Sequence, residues 1–368
     1  MISLKSISGL LCLLFFSVAV PMYASSCHPQ FSLEHGQTLS WQGADDAYSI
    51  PLPDGRDVWI FGDTLYGPER LVVGDDPRIT HSTIGISTCD AKTGWHITYS
   101  VKRDAKGEPA SFFVPKDPTH WYWAMDGFYA RGSLWVTLLC VKPAATPQPW
   151  AMNFQTCGAD LARISNPGDD PRNWKITYSP LVADGVKAYP SAAALVEGDY
   201  AYIFTLYEAG NRPMLLTRIP LSGLTKPVEH LEYLDADNTW KPGLVPAKAK
   251  EVMHLGSSEM SVRYHPELKE WVAVLIDPAI LSSKIYLRTA PEFTGPWSDG
   301  TVIYHIPEMI AGPQHDKDTF CYAGKEHPEF EAGGEVLFTY VCNTLSAPKL
   351  MTELNIYYPQ VVTVPMPK

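Results

Sequence analysis

The chain has 368 residues, of which 45% are hydrophobic and 19% charged, a balance typical of a globular protein with ample apolar surface for a core. The formal net charge of −11 argues against binding to nucleic acid or to anionic membrane surfaces, because both partners need clustered Lys and Arg. The length allows one large domain or two ordinary ones.

Residues 1–26 have the pattern of a secretory signal peptide. An apolar run from about Ile7 to Val20 follows an early lysine, and the small residues Ala24 and Ser26 come after it. The run is shorter than the roughly 20 apolar residues of a spanning helix, so we predict a secreted or periplasmic protein without a membrane span. A lipoprotein acylated at Cys27 is less favoured, because a large aliphatic residue is missing three positions before it.

Cysteine usage agrees with export. Without Cys12, which lies in the signal, six cysteines remain, and an even number in an exported protein indicates disulfides. Spacing relative to the apparent strands favours the pairs Cys27–Cys89, Cys140–Cys157 and Cys321–Cys342. Because no C-x-x-C motif or histidine-rich cluster is present, we predict no metal site and no cofactor. No ligand spacing encodes a structural cation in a central channel.

Strand signals run along the chain, and long segments with helical spacing are nearly absent. Short segments rich in Val, Ile, Tyr, Trp and Phe alternate with turns that contain Pro and Gly. Five such segments recur at intervals of roughly 65–75 residues. They are residues 57–63, 133–141, 200–208, 270–277 and 335–343.

A further strand precedes each of these segments, and others follow it. The preceding strands are residues 43–52, 121–130, 188–197, 257–266 and 321–330. Two units close with nearly identical segments, WHITYS and WKITYS, which supports a repeat. We therefore predict an all-β fold, a five-bladed β-propeller of four-stranded antiparallel blades formed by residues 27–368 as a single domain. Two packed sandwich domains are the alternative, but no linker-like change in composition divides the chain.

The first strand of each propeller blade lines the central channel, where ligand sites gather. Polar residues on these strands are therefore candidate site residues. They are Asp45 and Asp46 in blade 1, Asp126 in blade 2, Tyr189 and Ser191 in blade 3, Ser258 and Glu259 in blade 4, and Glu326 and His327 in blade 5.

Two carboxylates beside aromatic rings can hydrolyse a glycoside, since one protonates the leaving oxygen and the other activates water or attacks the anomeric carbon. A turn at residues 53–55 would place Asp45 opposite about residue 63, so that Asp45 and Asp63 share one site. Their repulsion would raise one pKa and keep that group protonated. Trp123 and Tyr189 are candidate sugar platforms. The alternative for each single acid is an ordinary turn residue.

The stretch GADDAYSIPLPDGRDVWIFGDTLYG at 43–67 resembles the opening signature of glycoside hydrolase family 183, formerly the group catalogued as domain of unknown function 4185. The later segments SSEMSV, HPEF and FTYVCN are similar to its inner strands. The resemblance implies a five-bladed propeller, endo-acting hydrolysis of D-arabinofuranosyl linkages, and Asp45 and Asp63 as the catalytic carboxylates. Asp46 departs from the pattern, which usually has glycine there, and its side chain would narrow the site or change its preference.

The leading hypothesis is a secreted glycoside hydrolase that cleaves furanosidic poly- or oligosaccharides of the D-arabinan type. Its expected partner is this substrate alone, and we expect a monomer. The alternative is a propeller that binds carbohydrate or protein without catalysis. A sialidase-like propeller is not favoured, because clear SxDxGxxW boxes are absent. The predicted site consists of Asp45 and Asp63 as catalytic residues, with Asp46, Trp123, Asp126, Tyr189, Glu259 and His327 around the substrate.

Overall fold

The computed structural model describes residues 27–367 except 71, 74–75, 91, 148–152, 278–281 and 311–315. The predicted signal peptide therefore lies outside the described residues. Within the described part, strands and loops predominate and the α-helices are two short segments, α1 (Pro227–His230) and α2 (Ala347–Thr352). None of the helices in this part is long and apolar enough to cross a membrane.

The first blade and the ribbons that accompany it occupy residues 41–110. Their strands are β1 (Trp41–Pro51), β2 (Asp57–Tyr66), β3 (Val72–Val73), β4 (Asp76–Pro77), β5 (Ile79–Thr80), β6 (Thr83–Asp90), β7 (Gly94–Ser100), β8 (Lys102–Arg103) and β9 (Pro109–Ala110). The blade has the order β1–β2–β6–β7, and β5 also pairs with β2. The pairs β3–β4 and β8–β9 form two separate ribbons.

Blades 2 and 3 follow along the chain, each with its strands in sequence order. Blade 2 consists of β10 (Trp121–Ala130), β11 (Ser133–Pro143), β12 (Phe154–Ile164) and β13 (Ile176–Val182). Blade 3 consists of β14 (Ala188–Glu197), β15 (Tyr200–Tyr207), β16 (Met214–Pro220), β17 (Glu232–Leu234) and β18 (Trp240–Pro242).

Blades 4 and 5 complete the ring. Blade 4 consists of β19 (Met260–His265), β20 (Glu270–Ile276), β21 (Lys284–Ala290) and β22 (Thr301–His305). Blade 5 consists of β23 (Thr319–Glu326), β24 (Glu335–Thr344) and β25 (Gln360–Pro365). The five-bladed, all-β prediction is confirmed. Among the described residues, blades 2 and 4 have the expected four strands. Blade 1 adds the short β5 to its four, blade 3 has a fifth strand and blade 5 has three.

The core is divided among the five gaps between neighbouring blades. In β20, Ala273 and Leu275 pack toward blade 3, whereas Val272 and Val274 pack toward blade 5. Successive residues of a strand point to opposite faces, so a strand buried on both faces needs an unbroken apolar run. The paired residues that represent the five gaps in ring order are Ile60 with Val136, Trp135 with Ile203, Phe204 with Leu275, Val274 with Phe338, and Leu337 with Phe61.

All three predicted disulfides are present. Cys140–Cys157 and Cys321–Cys342 each join adjacent strands of one blade. Cys27–Cys89 ties the segment before β1 to the end of β6, and Phe31 in this segment packs against rings that include Trp59. Because the Cys27 Sγ is in a disulfide, the lipoprotein alternative does not fit this structure.

Four of the five innermost strands have a β-bulge, an extra residue that locally disrupts pairing and redirects side chains. In β19 the register is regular. The interrupted stretches lie between Ala44 and Tyr48, Ala124 and Gly127, Pro190 and Ala193, and Tyr322 and Lys325. The bulges therefore turn side chains of several blades toward the channel, and they position the site.

Candidate active site

A cavity of about 340 Å³ opens at one end of the channel, which is within the size range of small-ligand sites. Its walls come from blades 1, 2, 4 and 5 and from the loop before β25. They combine four carboxylates with five aromatic rings. The lining residues are Asp45, Asp46, Asp63, Trp123, Met125, Phe154, Ser258, Glu259, Phe320, Tyr322, Asn343 and Tyr357.

The bulge in β1 brings two consecutive aspartates into this cavity. In a regular strand Asp45 and Asp46 would point to opposite faces. Here Asp46 has a φ of 66° and Ala47 a φ of 60°, both in the left-handed region that side chains other than glycine rarely adopt. Both carboxylates lie over Gly62, where a Cβ atom would clash with Asp45 Oδ1 and Asp46 Oδ2. Glycine at 62 is therefore required for this arrangement.

Asp45 is half-buried in the cavity wall, and one of its carboxyl oxygens is fully enclosed. Its Oδ2 accepts a hydrogen bond of 2.8 Å from the hydroxyl of Tyr322, whereas its Oδ1 has no hydrogen-bond partner among the described residues. Burial, followed by the charges of Asp46 and Asp63, raises the pKa of Asp45 well above its usual value. This carboxyl group therefore retains its proton at a pH where a solvated aspartate is ionised.

Asp46 lies beside a buried lysine. Lys325 Nζ donates a hydrogen bond to the backbone oxygen of Asp46 and lies 4.1 Å from the centre of the Tyr48 ring. Burial raises the pKa of Asp46 to about 7, although the Lys325 charge acts in the opposite direction. Burial also lowers the pKa of Lys325. Asp46 therefore changes charge near neutral pH.

Asp63 has a more polar environment than Asp45. Its side chain is 25% exposed, and its Oδ1 accepts a hydrogen bond of 2.8 Å from His81 Nδ1. The His81 ring stacks on Trp121 with a centroid distance of 5.2 Å. Ala44 pairs with Thr64 and Asp46 with Phe61, so Asp45 faces the stretch of β2 that contains Asp63. The predicted juxtaposition of Asp45 and Asp63 at one site agrees with this register.

Glu259 approaches from the opposite wall, immediately before β19. Its Oε2 accepts a hydrogen bond of 3.0 Å from Ser258 Oγ. Its charge contributes to the raised pKa values of both Asp45 and Asp46, so the acids of blades 1 and 4 act on each other electrostatically. Trp123, also predicted from the sequence, lines the cavity with Phe154 at a ring distance of 4.7 Å.

Asp126, predicted to bind substrate, does not line the cavity. Its Oδ1 accepts from the backbone N–H of Gly127 at 2.8 Å, and its Oδ2 accepts from that of Ala194 at 2.7 Å. Arg263 lies 3.9 Å from the same Oδ2. The side chain is only 1% exposed, and both of its oxygens bond to the protein, so it links blades 2 and 3.

Tyr189 and His327 are also outside the cavity lining. The Tyr189 ring packs in the core between blades 1 and 2, and its hydroxyl accepts a hydrogen bond from Thr156. His327 is 1% exposed, with Nδ1 2.6 Å from Ser49 Oγ and Nε2 2.8 Å from Thr339 Oγ1. It follows the last residue of β23, and therefore lies at the opposite end of the channel from the cavity.

The sequence analysis did not identify several cavity residues. The inner strands begin at the cavity end, so residues near the start of such a strand can reach the cavity. Phe320 and Tyr322 lie in the first half of β23. Antiparallel pairing places the last residues of the second strands beside them, as Asn343 in β24 shows. Tyr357 comes from a loop and has no such positional signal. The other unpredicted lining residues are Met125 and Phe154, whereas Ser258 is a predicted polar candidate on the blade 4 strand.

The family described as "Domain of unknown function (DUF5005)" matches residues 30–362. The chain belongs to this family. The specific resemblance to glycoside hydrolase family 183 is not confirmed by this match.

Two solved structures and one curated protein are similar to this chain. A candidate hydrolase from Bacteroides ovatus has a TM-score of 0.67 and 17% identity, with 89% of this chain and 87% of that chain covered. An exo-1,5-alpha-L-arabinanase from a bovine ruminal metagenomic library has a TM-score of 0.44 and 11% identity, with 91% and 95% covered. Notoamide biosynthesis cluster protein J of an Aspergillus species is 27% identical over 157 residues, or 42% of this chain and 39% of that protein. The Bacteroides structure shows a shared fold, and the match to the curated relative spans less than half of its length.

Proposed function

We propose that this protein is an exported glycoside hydrolase that cleaves furanosidic poly- or oligosaccharides in the carboxylate cavity. The observation that carries the proposal is Asp45 Oδ1, a buried carboxyl oxygen without a protein partner, in a cavity that holds three further carboxylates. A buried carboxyl with a raised pKa beside a more solvated one is the division of roles that glycoside hydrolysis needs.

In the proposed reaction, Asp45 is the general acid and transfers its proton to the glycosidic oxygen as the bond to the anomeric carbon breaks. Asp63 is the second carboxylate, which activates water or attacks the anomeric carbon. Burial, together with the charges of Asp46, Asp63 and Glu259, keeps Asp45 protonated. The hydroxyl of Tyr322 fixes the orientation of the Asp45 carboxyl group.

The aromatic wall supports a carbohydrate as the substrate. Trp123 and Tyr322, both half-buried in the cavity wall, have flat apolar rings with a polar edge, which suit the faces and hydroxyl groups of sugar rings. The resemblance of residues 43–67 to family 183 favours a furanosidic substrate, with D-arabinan as the first to test. The three disulfides support an oxidising location outside the cytoplasm.

A glycan screen of the purified protein tests the proposal. We expect release of reducing ends from D-arabinan, with L-arabinan, fructan and xylan as comparison substrates. Asp45→Asn and Asp63→Asn should each lower kcat/KM by about 10²- to 10⁴-fold, the usual contribution of general acid–base catalysis. Asp199→Asn, a change at an exposed aspartate, is the matched control and should retain full activity.

Full activity in both cavity variants would overturn the assignment of the catalytic pair. The same aromatic wall also favours the second candidate, a propeller that binds carbohydrate without cleaving it. Saturable binding of a glycan, unchanged in the Asp45→Asn/Asp63→Asn double variant and without release of reducing ends by the unmodified protein, would establish that alternative.

A further inference from the structure

A second polar cluster lies at the end of blades 4 and 5 opposite the cavity. His265 is the last residue of β19, Glu326 is the last residue of β23, and Glu331 follows in the loop before β24. Because β19 begins beside Glu259 and has six residues, it carries His265 roughly 17 Å away from the cavity. The cluster is therefore separate from the proposed catalytic site.

The side chains of this cluster converge on one point. One nitrogen of His265 and one carboxylate oxygen each of Glu326 and Glu331 lie within 4.8 Å of one another. His265 and Glu326 are each 3% exposed, and Glu331 is half-buried, which leaves a route from solvent on its side. One imidazole and two carboxylates at this spacing match the ligand sets of divalent transition metals.

The polar atoms of Glu326 and His265 supply a second and independent indication. The Glu326 side chain has no exposed surface, and neither of its carboxylate oxygens has a hydrogen-bond partner among the described residues. His265 Nε2 lies 3.0 Å from Glu326 Oε1, but the two are not aligned for a hydrogen bond, and this nitrogen also lacks one. His265 Nε2 and Glu326 Oε1 thus have only their mutual ion pair, and Glu326 Oε2 has no partner among the described residues. A buried carboxylate with so few partners is costly, which indicates a ligand at this point.

The other nitrogen of His265, Nδ1, bonds to a carboxylate, as the outer nitrogen of a metal-binding histidine commonly does. His265 Nδ1 lies 3.1 Å from Glu267 Oε1 and donates its proton to that carboxylate. A carboxylate on the outer nitrogen fixes the ring and presents Nε2 as a neutral donor to a metal. Glu331 is likewise oriented, because its Oε1 accepts a 2.9 Å hydrogen bond from the backbone N–H of Leu337.

Two further groups of metal-ligand side chains occur in the described part of the chain. One contains Cys140 and Cys157, and the other contains Cys321 and Cys342. Both pairs are disulfides, so their sulfur atoms are not available as thiolate ligands. His265, Glu326 and Glu331 are the group whose ligand atoms are all free to bind.

We propose that His265 Nε2, Glu326 and Glu331 bind one divalent transition-metal ion that links blades 4 and 5 at the end of the channel opposite the cavity. One oxygen each of Glu326 and Glu331 lies within 4.8 Å of the other in a mostly buried setting, where two negative charges would repel each other strongly. A divalent cation between them relieves this repulsion and stabilises the folded state by its binding free energy.

The test uses purified protein dialysed against a chelator and then titrated with ZnCl₂, followed by calorimetry and thermal unfolding. We expect saturable binding of one Zn²⁺ per chain and a rise in Tm with Zn²⁺ concentration. Glu331→Gln and Glu326→Gln should each abolish this binding, and Glu267→Gln should weaken it by about 10- to 100-fold. Circular dichroism before the titration identifies any variant that is not folded, and Glu331→Gln, at the half-buried position, is the main test.

Two controls make the result specific. His28 and Glu335 form another histidine–carboxylate pair at 3.0 Å, but near the surface, so His28→Gln should leave Zn²⁺ binding unchanged. The Asp45→Asn/Asp63→Asn variant should also bind Zn²⁺ normally, which separates this site from the cavity. The proposal is overturned if the unmodified protein shows no saturable Zn²⁺ binding. It is also overturned if the folded Glu331→Gln and Glu326→Gln variants bind Zn²⁺ as tightly as the unmodified protein. In either case Glu326 and Glu331 share a proton instead.

Discussion

The bulges of blades 1 and 2 both carry buried aspartates, but the surroundings of these side chains differ. In blade 2, each carboxylate oxygen of Asp126 accepts a backbone hydrogen bond. In blade 1, Asp45 lines the cavity and receives one hydrogen bond, from Tyr322, while its Oδ1 has no hydrogen-bond partner among the described residues. Burial of an acid on an inner strand therefore does not identify a functional residue. The partners of its oxygens distinguish a structural link from a group available to a substrate.

Replacing Asp126 should have the largest effect on stability. Asp126→Ala leaves two buried backbone N–H groups and Arg263 without their acceptor, so we expect the free energy of unfolding to fall by about 3–5 kcal/mol. Urea denaturation measures this change, and Asp126→Asn, which keeps one acceptor oxygen, should lose less. If Asp126→Ala lowered the free energy of unfolding by less than an exposed change such as Asp199→Asn, Asp126 would not be a structural link, and the two bulges would not differ in the way described.

Asp46, unlike Asp126, should destabilise the folded protein, and this effect should depend on pH. Its pKa is about 7 in the folded protein and near 3.8 when unfolded, so the folded state binds more protons between these values and stability falls as pH rises. Asp46→Asn does not titrate, so its stability relative to the unmodified protein should increase from pH 4 to pH 8 by up to about 4 kcal/mol. Unfolding measured at both pH values tests this, and a constant difference would contradict it.

Tyr322 allows a further test of the role of Asp45, because its hydroxyl provides the hydrogen bond that Asp45 receives. Its hydroxyl favours the ionised carboxylate and lowers the pKa of Asp45, against the larger effects of burial and the charges of Asp46 and Asp63. In Tyr322→Phe we expect the pKa of Asp45 to rise further, so activity on the alkaline side should extend by about 1 pH unit. A pH profile of kcat/KM on the responsive glycan measures the shift. An unmoved or more acidic alkaline limb would exclude Asp45 as the group that must hold a proton.

His81 should have the smallest effect. It hydrogen bonds to Asp63 from a partly exposed position, and such pairs contribute little to stability. His81→Ala should reduce kcat by about tenfold or less through looser positioning of Asp63, with the Tm almost unchanged. A loss as large as that of Asp63→Asn would show that the imidazole itself takes part in proton transfer.

Much of the fold could be predicted from the sequence, because each central strand is buried on both faces and appears as an unbroken apolar run. The second strand of every blade has this pattern, as in Asp57–Tyr66 and Glu335–Thr344. The disulfides were predictable for a related reason. Cys321 and Cys342 are direct cross-strand partners, and their positions in the apparent strands already placed them together.

The bulges could not be predicted, because an extra residue in a strand leaves no clear hydrophobic signature. Without them, Asp46 would point away from the cavity, and its position beside Asp45 would have no explanation. In the sequence, Asp126 and His327 look the same as a cavity residue, because each is a polar side chain on a predicted inner strand. Their partners come from other blades, as with Ala194 for Asp126 and Ser49 for His327. Such contacts between segments that are distant in the sequence determine whether a polar residue of an inner strand is structural or lines the cavity.

The hydrogen bond between Tyr322 and Asp45 joins residues 277 positions apart along the chain. Contacts of such long range are entropically expensive to form early, and they slow the folding of β proteins. During synthesis, the first blade and its acids leave the ribosome long before the blade that contains Tyr322. The hydrogen bond that orients the proposed acid therefore forms only when blade 5 packs against blade 1 and closes the ring.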